Sequence, residues 1–111
     1  MAKEVLVLMS ALLLAATGAW AQADSALIAK GEKTFANKKC VLCHVIKEKG
    51  GTVGPLARGP DLSTVGAQRD AECLKAFMKD PKAVNPKAKM MVFKGTEEEL
   101  EALVAYLGSL K

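Results

Sequence analysis

The stretch that most restricts what this chain can fold into is "KKCVLCHVIK", residues 38–47. Cys40 and Cys43 lie three positions apart, and His44, the chain's single histidine, follows the second directly. Metal ligands, a redox dithiol and a cofactor anchor all draw on these residue types, and each needs a different surrounding fold. A structural zinc site takes four ligands, usually two Cys or His pairs. Cys73 is the one further candidate and has no partner near it in sequence. A thioredoxin-like dithiol belongs beside a βαβ pattern.

The N-terminus reads as a leader rather than as fold. "MAKEVLVLMSALLLAATGAWAQA" opens on a weakly positive segment, continues as an apolar run from Val5 to Ala16, and ends in Ala19-Trp20-Ala21. That is the layout of a secretory signal peptide with an A-x-A cleavage site. The expectation is a signal peptide over residues 1–21 and one domain over 22–111, periplasmic or otherwise exported. A run of this length falls short of the about 20 residues that cross a bilayer, so no membrane span is expected after cleavage. In an exported chain cysteines usually pair, but three cysteines cannot form a simple disulfide framework. The formal net charge of +4 is unchanged by losing Lys3 and Glu4 together. With no lysine-arginine block and no aromatic ladder, nucleic-acid binding is excluded as a reading.

Three helices can be placed. One covers about 25–37, capped by Asp24 or Ser25, with Leu27, Ile28, Gly31 and Phe35 on one side. "DAECLKAFMK", 70–79, has Asp70 as N-cap and Leu74, Phe77 and Met78 on a shared face, with Pro81 just beyond its end. "TEEELEALVAYLGSL", 96–110, starts on a capping box of Thr96 and Glu99. Its first turn carries Glu97, Glu98 and Glu99, and Leu100, Leu103, Val104, Leu107 and Leu110 form its apolar stripe. The stretches between, 45–66 and 80–95, contain no convincing alternating strand. Loops of that length in so small a domain serve a function or wrap something. A core of this size is marginal without a metal, disulfides or a cofactor, and a large apolar group enclosed by the loops would repair both deficits. All-α is the expected fold class.

C-x-x-C-H is the attachment sequence of a c-type haem, and the chemistry accounts for the spacing. Thiols three residues apart reach the two vinyl groups on one porphyrin edge and form thioethers. The adjacent His44 is then held beneath the iron, with little ordering entropy left to lose. In an exported chain with this one histidine and no βαβ pattern, one covalently attached haem c is the reading taken, with Cys40, Cys43 and His44 as its anchors.

On these residues the sequence resembles a small monohaem class I cytochrome c over essentially all of 22–111. "CVLCH" is the specific element, and "GPDLSTVG" at 59–66, "KMMVF" at 89–93 and "LVAYL" at 103–107 follow in the family's order. The resemblance implies three main helices, with long loops wrapping the haem, and a crossing of first and last helices at Gly31 and Phe35 against Leu103, Tyr106 and Leu107. It implies a proline carbonyl that accepts from the proximal histidine, which is Pro60 or its rival Pro55, and Leu62 on the haem face. It implies a methionine as second iron ligand. Lys89-Met90 with Phe93 favours Met90, a one-residue-shorter pattern would choose Met91, and Met78 reads as core. Arg69 is a candidate partner for a haem propionate. The chain departs from relatives where Cys73 stands in place of a middle-helix tryptophan, and where Met91 stands in place of a proline.

The function implied is one-electron carriage between redox proteins rather than enzymatic turnover. The alternative is a haem c subunit of a larger dehydrogenase or reductase complex. Lys38, Lys39, Lys47, Lys87, Lys89 and Lys94 fall in segments expected near the haem edge, where they would steer a partner with an acidic docking surface. A monomer or a subunit of a complex is expected.

Overall fold

The computed structural model describes residues 25–52 and 58–111. The expected signal peptide and cleavage site, together with Asp24 and Pro55, lie outside the described residues. Helix α1 occupies 25–37. A single 3-10 turn follows at Cys40–Leu42, then strands β1, Val45–Ile46, and β2, Gly50–Gly51. Four further helices complete the described chain: α2, Val65–Gln68; α3, Ala71–Lys79; α4, Pro81–Val84; and α5, Glu97–Gly108.

The three long helices stand where the sequence places them, and α3 and α5 carry the predicted caps. Asp70 accepts from the Cys73 N–H at 2.8 Å at the start of α3. Thr96 Oγ1 accepts from the Glu99 N–H at 3.1 Å while the Glu99 carboxylate accepts from the Thr96 N–H at 3.0 Å. This reciprocal pair satisfies two amides that the first turn of α5 leaves without helical partners. The helix ends at Gly108, two residues before the expected end, because the Ser109 hydroxyl turns back onto the Tyr106 carbonyl.

The loops hold more structure than expected. Ile46 and Gly50, Val45 and Gly51 pair as a minimal antiparallel ladder. The turn runs through Glu48 at φ 68° and Gly50 at φ 90°. Pro81 does not merely stop α3. It opens α4, where its missing N–H costs nothing, and Asp80 caps that helix by accepting from Ala83 N at 3.2 Å.

The core forms where α1, α3 and α5 converge. Leu103 and Leu107 on α5 are 1% and 0% exposed, each contributing about 1.5–3 kcal/mol on burial. Phe35 of α1 meets Tyr106 of α5 edge to face at 5.9 Å between ring centroids. Gly31 permits that approach, since a Cβ there would run into the Ala102 carbonyl and lie 2.6 Å from the Tyr106 Cβ. α3 packs on α5 through Leu74 and Met78, and α2 packs on the end of α5. Gly66 N–H donates to the Leu110 carbonyl at 2.7 Å there. Cys73 is half-buried on α3, and its thiol is free.

Candidate functional site

Cys40, Cys43 and His44 are gathered by one tight turn. The Cys40 carbonyl accepts from both the Cys43 N–H at 3.2 Å and the His44 N–H at 3.0 Å. This closes the backbone into one turn that carries both cysteines and the histidine. Lys39 enters the turn in the left-handed region, at φ 60°.

Residues 59–63 are strapped along 43–47 and fix the histidine. Gly59 N–H donates to the Cys43 carbonyl at 2.9 Å, Leu62 N–H to the Val45 carbonyl at 2.9 Å, and Lys47 N–H to Ser63 Oγ at 2.7 Å. Asp61 braces the strap by accepting from the Ser63 hydroxyl at 2.5 Å and from the Ser63 N–H at 2.8 Å. Those bonds hold its carboxyl below the usual carboxylate range. Between these anchors, His44 Nδ1 lies 2.8 Å from the Pro60 carbonyl. A carbonyl only accepts, so in the neutral imidazole Nδ1 carries the proton and Nε2 keeps its lone pair.

Gly59 was not a sequence candidate. Its hypothetical Cβ would lie 2.6 Å from His44 Nδ1 and 2.9 Å from Nε2, so the glycine backbone lies flat against the imidazole. The Gly59-Pro60 dipeptide is a turn signal, and that was its one legible trace. The contact itself is tertiary.

Cys40 and Cys43 are both free and half-buried, and burial pushes the Cys40 thiol up from its ordinary value. A thioredoxin-like nucleophile needs the opposite shift. Among the described residues no group of three or more His, Cys, Asp or Glu side chains is arranged to hold a bare metal ion.

Leu62 is buried in the core cluster, against which Cys40 and Met90 also pack. Met90 comes from the segment after α4, which is tied back to α3 by Phe93 N–H donating to the Met78 carbonyl at 2.9 Å. Met90 is half-buried, Met91 is 85% exposed and Met78 is 8% exposed. An open cleft of about 480 Å³ runs beside this segment, bordered by Pro81, Lys82, Lys89, Met90, Met91 and Lys94. Arg69 is exposed at the end of α2. Of the lysines expected to face a partner, Lys38 is drawn inward. Its ammonium lies 3.7 Å from Glu99 and 5.8 Å from the centre of the Phe93 ring. Lys39, Lys47, Lys87, Lys89 and Lys94 are exposed and make no ion pair among the described residues.

The family model for cytochrome c matches residues 28–111. Among curated proteins, the chain is 31% identical over 99 residues to cytochrome c oxidase subunit 2 of Bacillus subtilis (strain 168), covering 80% of this chain and 28% of that one. It is 32% identical over 94 residues to the subunit of the same name from Bacillus sp. (strain PS3), covering 76% and 26%. The chain thus spans little more than a quarter of the length of these relatives. No solved structure matches. The match across the described helices and the C-x-x-C-H turn places this chain in the cytochrome c family, whose domain transfers electrons through a covalently attached haem c.

Proposed function

We propose that this chain is an exported monohaem one-electron carrier, not an enzyme, with its haem joined to Cys40 and Cys43 and its iron ligated by His44 and Met90. The observation that carries this reading is the His44–Pro60 hydrogen bond. It leaves one imidazole nitrogen with a bare lone pair beside two free thiols, a donor set that fits a c-type haem. When bound, the haem supplies a one-electron iron couple whose potential its axial ligands set.

The protein's own part follows from the site. Pro60 raises the basicity of the imidazole by accepting from its far nitrogen. Gly59 holds the ring plane, and Leu62 presents an apolar face that excludes water. A thioether from Met90 favours the reduced iron and raises the potential. Met90 is favoured over Met91 because it already packs on the core, whereas Met91 points to solvent. With His44 and Met90 holding the iron, no coordination site would remain for a substrate, and one-electron shuttling is the chemistry the group would supply here.

Residues 22–111 are taken as the domain and 1–21 as its export signal, a boundary compatible with a family match that begins at residue 28. No helix among the described residues is long and apolar enough to cross a membrane. Redox proteins are the partners, approached through Lys39, Lys47, Lys87, Lys89 and Lys94. A second reading is favoured by the names of the relatives. Both are oxidase subunits far longer than this chain, so the domain can equally serve as a haem c subunit of a larger complex. Size fractionation of a native extract separates the two. Haem absorbance eluting with the free chain supports the carrier, and co-elution with a large assembly overturns it. Carbon monoxide should leave the spectrum of the reduced protein unchanged, and a shift would reveal an open iron and the possibility of turnover.

A further inference from the structure

We propose that Met91 is an oxidation site, converted to the sulfoxide by peroxide-class oxidants ahead of Met90 and Met78. Three methionines from two segments bear on the site, and their exposures are graded. Met91 is 85% exposed on the open cleft, beside exposed Val92 and the ammonium-bearing Lys89 and Lys94. Met90, its direct neighbour, is half-buried against the core. Met78 is 8% exposed, on the buried face of α3.

A thioether reacts when its sulfur lone pair can reach the oxidant. The sulfur attacks one peroxide oxygen, the O–O bond breaks, and the sulfur leaves as sulfoxide while the other oxygen departs as water. Sulfur goes up by two electrons and the peroxide is reduced by two. Met91 meets the access condition fully and Met78 does not. On the reading that Met90 ligates the iron, its lone pair is also engaged there, which widens the gap between neighbours. The product suits this position. Oxidation turns an apolar side chain polar, which disrupts a core but costs little at a site already in water.

The adjacency matters because oxidant in limiting amount is consumed where reaction is fastest. Met91 spares Met90 only under that condition. With oxidant in large excess each methionine reacts at its own rate.

The test treats the oxidised holoprotein with one equivalent of hydrogen peroxide, then maps added oxygen by peptide mass and follows the far-red methionine–iron band. The expected result is oxygen on Met91 severalfold above Met90 and Met78, with the band retained. Oxygen appearing first on Met90 or Met78 overturns the proposal. Oxygen on Met91 with loss of the band upholds the oxidation site but removes Met90 as the iron ligand, so the two claims fail separately. Met91→Leu supplies the second arm. At one equivalent, the variant should gain more oxygen on Met90 and lose more of the band than the parent, and equal loss in both would overturn the sparing role.

Discussion

His44 is held on two sides by consecutive residues. The Pro60 carbonyl accepts from its Nδ1 and Gly59 covers its ring, while the Cys40 carbonyl fixes its backbone. A side chain at 59 would have to displace the imidazole or the strap. Gly59→Val should therefore lower holoprotein stability by about 1–3 kcal/mol, the usual cost of overpacking. It should also shift the reduction potential, because the Pro60 bond that tunes ring basicity would be strained. Denaturant unfolding and a redox titration check the two effects, and an unchanged potential would mean that Gly59 only packs. The tandem methionines make the second residue-scale expectation. Met90→Ala should abolish the far-red methionine–iron band and lower the potential, whereas Met91→Ala should leave both nearly intact. The reverse pattern would move the ligand to Met91, and survival of the band in the double variant would point to Met78.

At the scale of elements, α5 organises the electrostatics of the described chain. Glu97 and Glu99 in its first turn both titrate below the usual glutamate range. For Glu97 the main cause is the bond from Lys75, for Glu99 the bond from the Thr96 N–H. Their folded values lie below their unfolded ones, so their contribution is complete at neutral pH. It is lost as pH falls through the folded values. Glu99→Gln keeps an acceptor for Thr96 but cannot titrate. Its Tm should fall less steeply than the parent's on acidification, and parallel acid limbs would place the pH dependence elsewhere. The long helices were legible because their signals are local: Asp70 and Thr96 as caps, and Leu100, Leu103, Val104 and Leu107 at helical spacing. The helices α2 and α4 and the β1–β2 pair were not, because four residues or two carry no period. What holds them is non-local. Gly66 bonds Leu110, and Gly51 lies so close to the His44 carbonyl that a Cβ would clash. The site divided the same way. Cys40, Cys43 and His44 announce themselves by spacing. Gly59 acts through partners about 15 positions earlier in the chain, the Cys43 carbonyl and the His44 ring.

At the scale of the molecule, a chain with few long helices has one apolar core around α5 and a second demand, the cofactor, that organises its loops. The exposed lysines have a kinetic consequence. Association with an acidic redox partner should weaken as salt rises, since exposed charges are screened beyond about 10 Å at 0.1 M. Reversing Lys87 and Lys89 should slow electron transfer more than reversing Lys33, which is exposed on α1. Lys111 is a poorer control, because its ammonium is committed to the Gly66 carbonyl at 3.0 Å. Equal slowing at all positions would remove the case for a steering patch. The central proposal is that Cys40 and Cys43 carry a haem on an exported chain that begins at Gln22. Intact mass of the exported protein under denaturing conditions tests it in one measurement, since only a covalent cofactor survives. The account predicts the mass of residues 22–111 plus one haem, reverting to the bare chain when Cys40 and Cys43 are both replaced by alanine. A bare, colourless chain from cells proven to mature c-type haem would contradict it.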